Sequence, residues 1–324
     1  MYYQNVRSVR RKLSFLNFNL SMFVDRPEII ILTETWLHEG IMNQELNLSN
    51  YNIYRKDRFK RNLTSVNAVS DECVRDGGVL IAISKVLKSS SIDVKLLQQD
   101  SILSEELYVK VTIGKNKFLL EAVYIPPGSP ICVYENHLKK VENISRFYSD
   151  HRLLITGDFN LPKISWNFND YLICDFLEGS SLPSKQAASL ICDLYNSSNL
   201  KQFFPPHPNK TYTLDLLFEN NDLVEYLHSS DHLVPLEFSH HVSATFGINI
   251  PCSHLQYNHT SKYNFRDIDD EALATCLGSL NWNDILDFDF LNLNESINLF
   301  YDILEAAVDL SVPKIGKLPR KFPG

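Results

Sequence analysis

The stretch around residue 155 constrains the fold most, because a short apolar run ends there abruptly at polar residues. Residues 153–156 are aliphatic or β-branched, which predicts a buried central strand. Gly157 allows a sharp turn or a close backbone approach, and Asp158 and Asn160 follow two positions apart. If the extended pitch continues, both polar side chains point to one side and Phe159 points into the core. The alternative is an Asx turn, in which both side chains bond their own backbone.

Other predicted strands also end at polar groups. The aliphatic residues 29–32 lead to Glu34, and residues 123–125 place Tyr124 just before a proline pair. Residues 212–214 lead into Asp215, and Asp231 and His232 follow another apolar segment. Because α/β folds build sites at strand ends, this pattern predicts one polar site.

Six features occur in the order typical of the endonuclease/exonuclease/phosphatase superfamily, which the chain resembles over roughly residues 2–246. Within this superfamily, the motifs are most similar to those of the apurinic-type endonuclease of non-LTR (LINE-type) retrotransposons, which precedes a reverse transcriptase. The features are Asn5 in Gln4-Asn5-Val6-Arg7, Glu34 in Thr33-Glu34-Thr35-Trp36, Tyr124 before Pro126-Pro127, Gly157-Asp158-Phe159-Asn160, Leu214-Asp215 and Ser230-Asp231-His232.

The resemblance implies a magnesium site, with Mn²⁺ as a substitute, because Mg²⁺ takes hard oxygen ligands and few carboxylates. Glu34 would be the principal ligand, Asn5 would supply a neutral oxygen and Asp231 a second carboxylate. The competing interpretation of Glu34 is a carboxylate at a helix N-terminus, but an acid directly after aliphatic residues is costly without a partner.

The resemblance also assigns the catalytic roles. His232 would contact the scissile phosphate, while Asp215 would orient its ring and favour the protonated form. Asp158 would orient or deprotonate the attacking water, and Asn160 would hold the phosphate or Asp158 itself. Tyr124 would donate its hydroxyl to the phosphate, with simple packing beside the prolines as the alternative. His240 and His241 are interpreted as loop histidines.

The net charge of −8 is unevenly distributed, so it does not exclude a nucleic-acid partner. Residues 262–311 carry 11 acidic and 2 basic side chains, whereas residues 1–261 carry 28 and 25. A basic stretch and one serine are the predicted nucleic-acid contacts, with a solvated loop as the alternative. These residues are Arg55, Lys56, Arg58, Lys60, Arg61 and Ser230.

Many short strands and few helices predict a four-layered α/β sandwich of two packed mixed sheets flanked by helices. Residues 1–248 form the predicted nuclease domain, residues 249–311 an acidic helical connector, and residues 312–324 a basic, proline-rich tail. The tail resembles the linker to a reverse transcriptase, so we expect a truncated copy with a clipped start.

Six scattered cysteines predict neither a disulfide framework nor a zinc site. No apolar run of membrane-spanning length occurs, so we expect a soluble, intracellular protein without a membrane partner, acting in the nucleus. No oligomeric state follows from the sequence.

The predicted function is that of a Mg²⁺-dependent endonuclease that nicks double-stranded target DNA and leaves a 3′-hydroxyl for reverse transcription. Element RNA would be a partner through the absent polymerase. The alternatives are another phosphoesterase of the superfamily, or a decayed or co-opted copy that only binds nucleic acid or serves as a scaffold.

Overall fold

The computed structural model contains two compact units, Met1–Cys252 and Ser253–Gly324. It describes residues 1–23, 26–58, 77–92, 104–168, 172–205, 210–220, 224–227, 232–235, 241–249, 267–282 and 300–313 apart from 302, 305 and 309. The predicted domain boundaries at 248 and 311 stay predictions. No helix in this described part is both long and apolar enough to cross a membrane.

The first unit contains fourteen strands among its described residues. They are β1 (Tyr2–Asn5), β2 (Ile29–Thr33), β3 (Tyr51–Lys56), β4 (Val79–Ser84), β5 (Lys88–Ser91), β6 (Glu105–Ile113), β7 (Asn116–Tyr124), β8 (Arg152–Asp158), β9 (Ile164–Phe168), β10 (Leu172–Phe176), β11 (Lys201–Gln202), β12 (Asp215–Glu219), β13 (Val224–Leu227) and β14 (Ala244–Ile248).

Two six-stranded mixed sheets account for twelve of these strands. Sheet A has the order β13-β14-β1-β2-β4-β3, and sheet B has the order β11-β12-β8-β7-β6-β5. Within sheet A, β1 and β2 are parallel and β14 is antiparallel to β1. Within sheet B, β7 and β8 are parallel and β12 is antiparallel to β8. Strands β9 and β10 form a separate antiparallel pair.

The helices of this unit lie on the outer faces of the two sheets. Helix α1 (Leu13–Met22) follows a 3₁₀ turn at Arg10–Lys12, and it packs with Leu16 and Leu20 on the outer face of sheet A. Helices α2 (Ile131–Phe147) and α3 (Leu182–Ser197) cover sheet B with apolar faces. A third core between the sheets completes the four layers, which confirms the predicted sandwich.

In the second unit, helix α4 spans Asp270–Gly278, and the Asp269 carboxylate caps it by accepting a hydrogen bond from the Ala272 amide. A capping carboxylate satisfies one of the free amides of a first helical turn. The acidic, amphipathic pattern of residues 291–310 predicts another helix in the connector, but this segment falls largely outside the described residues.

The last strand begins later than predicted. The sequence predicts a strand over 233–246, but β14 begins at Ala244, and residues 236–240 lie outside the described part. Leu233 and Val234 are fully buried, yet their amides bond the side chains of Tyr2 and Gln4 instead of a neighbouring strand. Their apolar character therefore reflects a packed loop, which periodicity alone does not distinguish from a strand.

A buried ionic cluster connects sheet B to α2. Glu121 lies on the face of β7 that packs under α2, and its carboxylate is 3.3 Å from His137 Nδ1. Lys140 Nζ lies 3.1 Å from Glu106, and the His137 Nε2 is 3.2 Å from the Tyr195 hydroxyl. Although burial opposes its charge, the neighbouring glutamates raise the pKa of His137. His137 and Lys140 therefore lie against the two buried carboxylates of Glu106 and Glu121.

Replacing one member should be costly, because it leaves an uncompensated buried charge. We expect Glu121→Ala to lower the free energy of unfolding by about 3–5 kcal/mol in urea denaturation. The matched control is Glu135→Ala, which removes an exposed glutamate from α2 and should change stability little. Equal effects of the two substitutions would contradict the electrostatic account.

Candidate active site

Both sheets contribute strand ends to one polar site. Asn5 ends β1 and Glu34 follows β2, both in sheet A, while Tyr124 ends β7 and Asp158 ends β8 in sheet B. The register pairs Asp158 with Tyr124 on one side and with Asp215, the first residue of β12, on the other. The parallel pairs β1–β2 and β7–β8 therefore bring these side chains to adjoining edges, as the strand-end pattern predicts.

The backbone of Glu34 is held in a left-handed conformation, with φ of 51°. Its carbonyl accepts a hydrogen bond from the Ser8 amide, and the next two amides, of Thr35 and Trp36, donate to Gly78 and Gly77. Such a conformation persists only where the surroundings fix it. The side chain is buried, and Arg7 Nε lies 3.7 Å from Oε2, so the carboxylate is positioned before any ligand arrives.

The Asn5 amide connects the two sheets. Its Nδ2 donates to Glu34 Oε1 and to Asp158 Oδ2, each at 3.0 Å. The Oδ1 atom is buried and has no hydrogen-bond partner among the described residues. A buried oxygen without a donor is unfavourable, which makes it a ready ligand for a cation.

Asp158 is fully buried and its two oxygens are both engaged. Oδ1 accepts from the Asn160 amide at 3.0 Å, so the Asx turn weighed as an alternative is present alongside the site contact. Asn160 has φ of 48°, so the extended pitch ends there, and its Nδ2 donates to the Ile125 carbonyl. Phe159 points into the core as predicted. A Cβ on Gly157 would lie 1.8 Å from the Val123 carbonyl oxygen, which explains the glycine.

The histidine at the site is His241, and the predicted pairing of Asp215 with His232 is wrong. His241 Nδ1 lies 2.8 Å from Asp215 Oδ2, and its Nε2 lies 3.8 Å from Asp158 Oδ2 and 3.5 Å from Asn5 Nδ2. His232 instead places Nδ1 at 2.5 Å from the Ser243 hydroxyl. The interpretation of His241 as a loop histidine is therefore also wrong.

Chain geometry explains this correction. Strand β14 runs antiparallel to β1 and begins at Ala244, so the residues just before it lie beside the end of β1, where Asn5 is. His241 occupies this position, and residues 232–235 belong to the packed loop. The available signal was the alternating segment 242–246, which follows Ser239-His240-His241 in the sequence. Ser230 and Asp231 lie outside the described residues, as does His240.

Electrostatics at the site follow from burial and crowded carboxylates. Burial raises the pKa of Asp158 well above its ordinary value, and the Asp215 and Glu34 carboxylates add to this rise, while His241 opposes it. Burial disfavours the charged form of His241, but Asp215 and Asp158 outweigh that effect and raise its pKa to about 9. His241 is therefore an imidazolium at neutral pH.

Residues 118–242 match the family model described as endonuclease-reverse transcriptase. The match covers 125 of the 324 residues of the chain. The matched segment contains Tyr124, Asp158, Asn160, Asp215 and His241. No functionally curated protein matches the sequence.

Several solved structures resemble the chain. The endonuclease domain of TRAS1, a telomere-specific non-LTR retrotransposon, is 14% identical with a TM-score of 0.49, over 76% of this chain and 96% of that one. The 3′-5′ exonuclease NExo from Neisseria meningitidis is 14% identical with a TM-score of 0.49, over 77% and 100%. The catalytic domain of human Nocturnin is 13% identical with a TM-score of 0.47, over 76% and 93%.

The site offers a place for a metal ion. Glu34, Asp158 and His241 each bring one ligand atom within 4.8 Å of the others, and Asn5 Oδ1 adds a neutral oxygen. Glu34 and Asn5 fit the predicted ligand set, because both present oxygen. His241 fits less well, since a protonated imidazole has no lone pair to donate. The predicted third ligand, Asp231, is not among the described residues.

Tyr124 faces the same carboxylates. Burial raises the pKa of its hydroxyl, and the Glu34 and Asp158 charges raise it further, so the phenol remains a donor. Arg58 lies 5.3 Å from the ring centroid and forms a bidentate pair with Glu105, with hydrogen bonds of 2.6 and 3.0 Å. Arg58 therefore supports Tyr124 from within the protein.

The basic stretch is partly committed to internal partners. Arg55 donates to the His38 and Ile41 carbonyls and lies 3.1 Å from Asp57. Lys56 is the partner of Val79 in the β3–β4 register. Lys60 and Arg61 lie outside the described residues. Nucleic-acid contact by this stretch stays a prediction.

The pairing of Asp215 with His241 can be tested without any substrate. Asp215→Asn removes the nearest negative charge, so the pKa of His241 should fall from about 9 towards the ordinary value of about 6.5. NMR titration of the histidine rings in metal-free protein measures this shift. The same substitution should not shift the NMR titration curve of His232. A shift of the His232 curve without a shift of the His241 curve would restore the original pairing of Asp215 with His232.

Proposed function

We propose that the chain is a Mg²⁺-dependent DNA endonuclease that nicks target DNA and leaves a 3′-hydroxyl from which reverse transcription can start. The family match supports nuclease chemistry. One observation carries the proposal. Where the edges of the two sheets adjoin, the structure brings together Glu34, Asn5, Asp158 and the Asp215–His241 pair.

Phosphodiester hydrolysis requires a base for the attacking water and positive charge near the phosphate oxygens. Asp158 is the base, because it is buried, fixed by Asn5 and Asn160, and has a raised pKa that increases its proton affinity. The imidazolium of His241 faces the same space and donates to a phosphate oxygen. Asp215 holds its ring through Nδ1, which leaves Nε2 directed at the site.

Two further groups complete the site. Tyr124 donates its hydroxyl to a second phosphate oxygen, since its raised pKa keeps it protonated. Asn160 fixes Asp158 through its backbone amide, while its side chain is bound to the Ile125 carbonyl. Asn160 therefore serves Asp158 rather than the phosphate, one of the two roles considered for it.

Glu34 and Asn5 would hold the magnesium ion, which would neutralise charge on the phosphate and on the leaving oxygen. The buried Asn5 Oδ1, which has no other described partner, and the fixed Glu34 carboxylate support this assignment. A cation beside Glu34 would also favour the ionised form of Asp158. Mn²⁺ would substitute, because it accepts the same oxygen ligands.

The wider biology of the proposal follows from the family description. The matching family model is described as endonuclease-reverse transcriptase. On that basis we propose double-stranded DNA as the substrate, element RNA as a further partner and the nucleus as the place of action. Residues 249–311 would be an acidic connector and residues 312–324 a basic, proline-rich tail.

Substitutions at the site should abolish nicking of supercoiled plasmid in Mg²⁺, and EDTA should do the same. We expect Glu34→Gln, Asp158→Asn and His241→Gln each to reduce the rate by at least about a hundredfold, because each removes a charge that the reaction uses. The rate of conversion of supercoiled to relaxed DNA is the measurement.

The matched control is His232→Gln, which changes the other candidate histidine and should leave the rate nearly unchanged. Loss of nicking in His232→Gln with retention in His241→Gln would reverse the assignment. Hydrolysis of phosphomonoesters without plasmid nicking would favour another phosphoesterase of the superfamily. Binding of DNA without any hydrolysis would favour the decayed or co-opted copy.

The pH dependence of nicking should report His241. If the imidazolium is required, the rate should fall as pH rises through about 9, where His241 loses its proton. Asp215→Asn lowers the pKa of His241, so the fall should move to lower pH. A fall that stays near pH 9 in Asp215→Asn would show that another group limits the reaction.

A further inference from the structure

The hydroxyl of Tyr3 lies directly behind the Asp215–His241 pair. Tyr3 is fully buried on β1, within the core between the two sheets, and its ring packs edge-on against Phe204 with centroids 5.4 Å apart. The hydroxyl donates to Asp215 Oδ1 at 2.6 Å. This contact uses the carboxylate oxygen that His241 leaves available, since His241 Nδ1 bonds Oδ2.

The hydrogen-bond directions around Tyr3 are fixed by counting protons. A phenol carries one proton, and Tyr3 gives it to Asp215, so the Thr33 hydroxyl at 3.0 Å must donate to the Tyr3 oxygen. The result is a buried chain from Thr33 through Tyr3 and Asp215 to His241. Burial and the Asp215 charge raise the pKa of Tyr3, which keeps it a donor.

Two donors on opposite oxygens define the plane of a carboxylate. The terminal torsion of an aspartate is otherwise broad, so one donor alone leaves the plane free to rotate. Charge-assisted bonds of this length are about twice as strong as neutral ones. Tyr3 therefore sets the orientation of Asp215, and Asp215 in turn sets the direction in which His241 Nε2 points.

We propose that Tyr3 is a positioning residue of the active site, which fixes Asp215 so that the His241 ring is held for the phosphate. This inference rests on the proposed function for its effect on rate, but the geometry it describes exists without substrate. In the described part of the chain, the hydroxyl of Tyr3 forms hydrogen bonds with Asp215 and Thr33, so its effect on the chemistry would pass through Asp215.

Strand β1 itself supplies a matched control. Tyr2 is also fully buried, and its hydroxyl donates to Gln4 Oε1 and accepts from the Leu233 amide, both at 2.8 Å. The two tyrosines are adjacent but face opposite sides of sheet A, and Tyr2 packs in the core under α1. Tyr2→Phe and Tyr3→Phe therefore remove the same atom from equally buried rings, and only one of them touches Asp215.

We expect Tyr3→Phe to reduce kcat for plasmid nicking on the order of tenfold, the scale seen when a group that orients a functional histidine is removed, with KM unchanged. Tyr2→Phe should leave kcat and KM unchanged, although both variants lose stability in urea denaturation. Thr33→Val removes the donor to Tyr3 and should give a smaller loss of kcat in the same direction.

A second measurement separates this inference from the proposed function. The Nδ1 proton of His241 should give a downfield NMR resonance in metal-free protein, and Tyr3→Phe should shift it and speed its exchange, whereas Tyr2→Phe should not. If the wild-type chain cleaves no DNA, the proposed function fails and this resonance still decides the role of Tyr3. A folded Tyr3→Phe with wild-type kcat, an unmoved resonance, or an equal loss of kcat in Tyr2→Phe would overturn the proposal.

Discussion

The amide group of Asn5 is the interaction on which the rest of the site depends, because it joins carboxylates from two different sheets. Glu34 belongs to sheet A and Asp158 to sheet B, and each accepts a hydrogen bond from the same nitrogen. Like charges at this separation repel, so the sandwich needs a shared donor at the point where the two sheet edges meet. Asparagine suits the position because its nitrogen serves both acids while its oxygen stays available.

The negative charges around this amide explain why a protonated His241 is favourable beside Asp215 and Asp158. Three carboxylates, from Glu34, Asp158 and Asp215, crowd a buried space. His241 places a positive charge beside Asp215 and Asp158, and Arg7 lies beside Glu34. The carboxylates raise the pKa of His241, and it opposes the rise in the pKa of Asp158. His241 and Asp158 therefore shift the pKa of each other, which a single buried group could not achieve.

The fold was largely predictable, because long apolar runs with clear periodicity specify strands and helices regardless of context. Glu34 and Asp158 were predictable for the same reason, as each lies where such a run ends, whereas Asp215 begins β12 instead of following a strand. The histidine was not, since two Ser-x-His sequences precede alternating segments and only the register of β14 against β1 selects His241. Tyr3 was hidden as well, because a tyrosine in an apolar strand is indistinguishable from a core residue until its hydroxyl has a partner.

The burial of Asp158 also sets stability against function. A carboxyl group whose pKa is raised by folding makes the folded state less stable at neutral pH, because its charge is better accommodated in the unfolded chain. Removing that charge would relieve the cost and stabilise the folded protein, but it would also remove the proposed base. Selection for thermal stability alone would therefore favour an uncharged residue at this position.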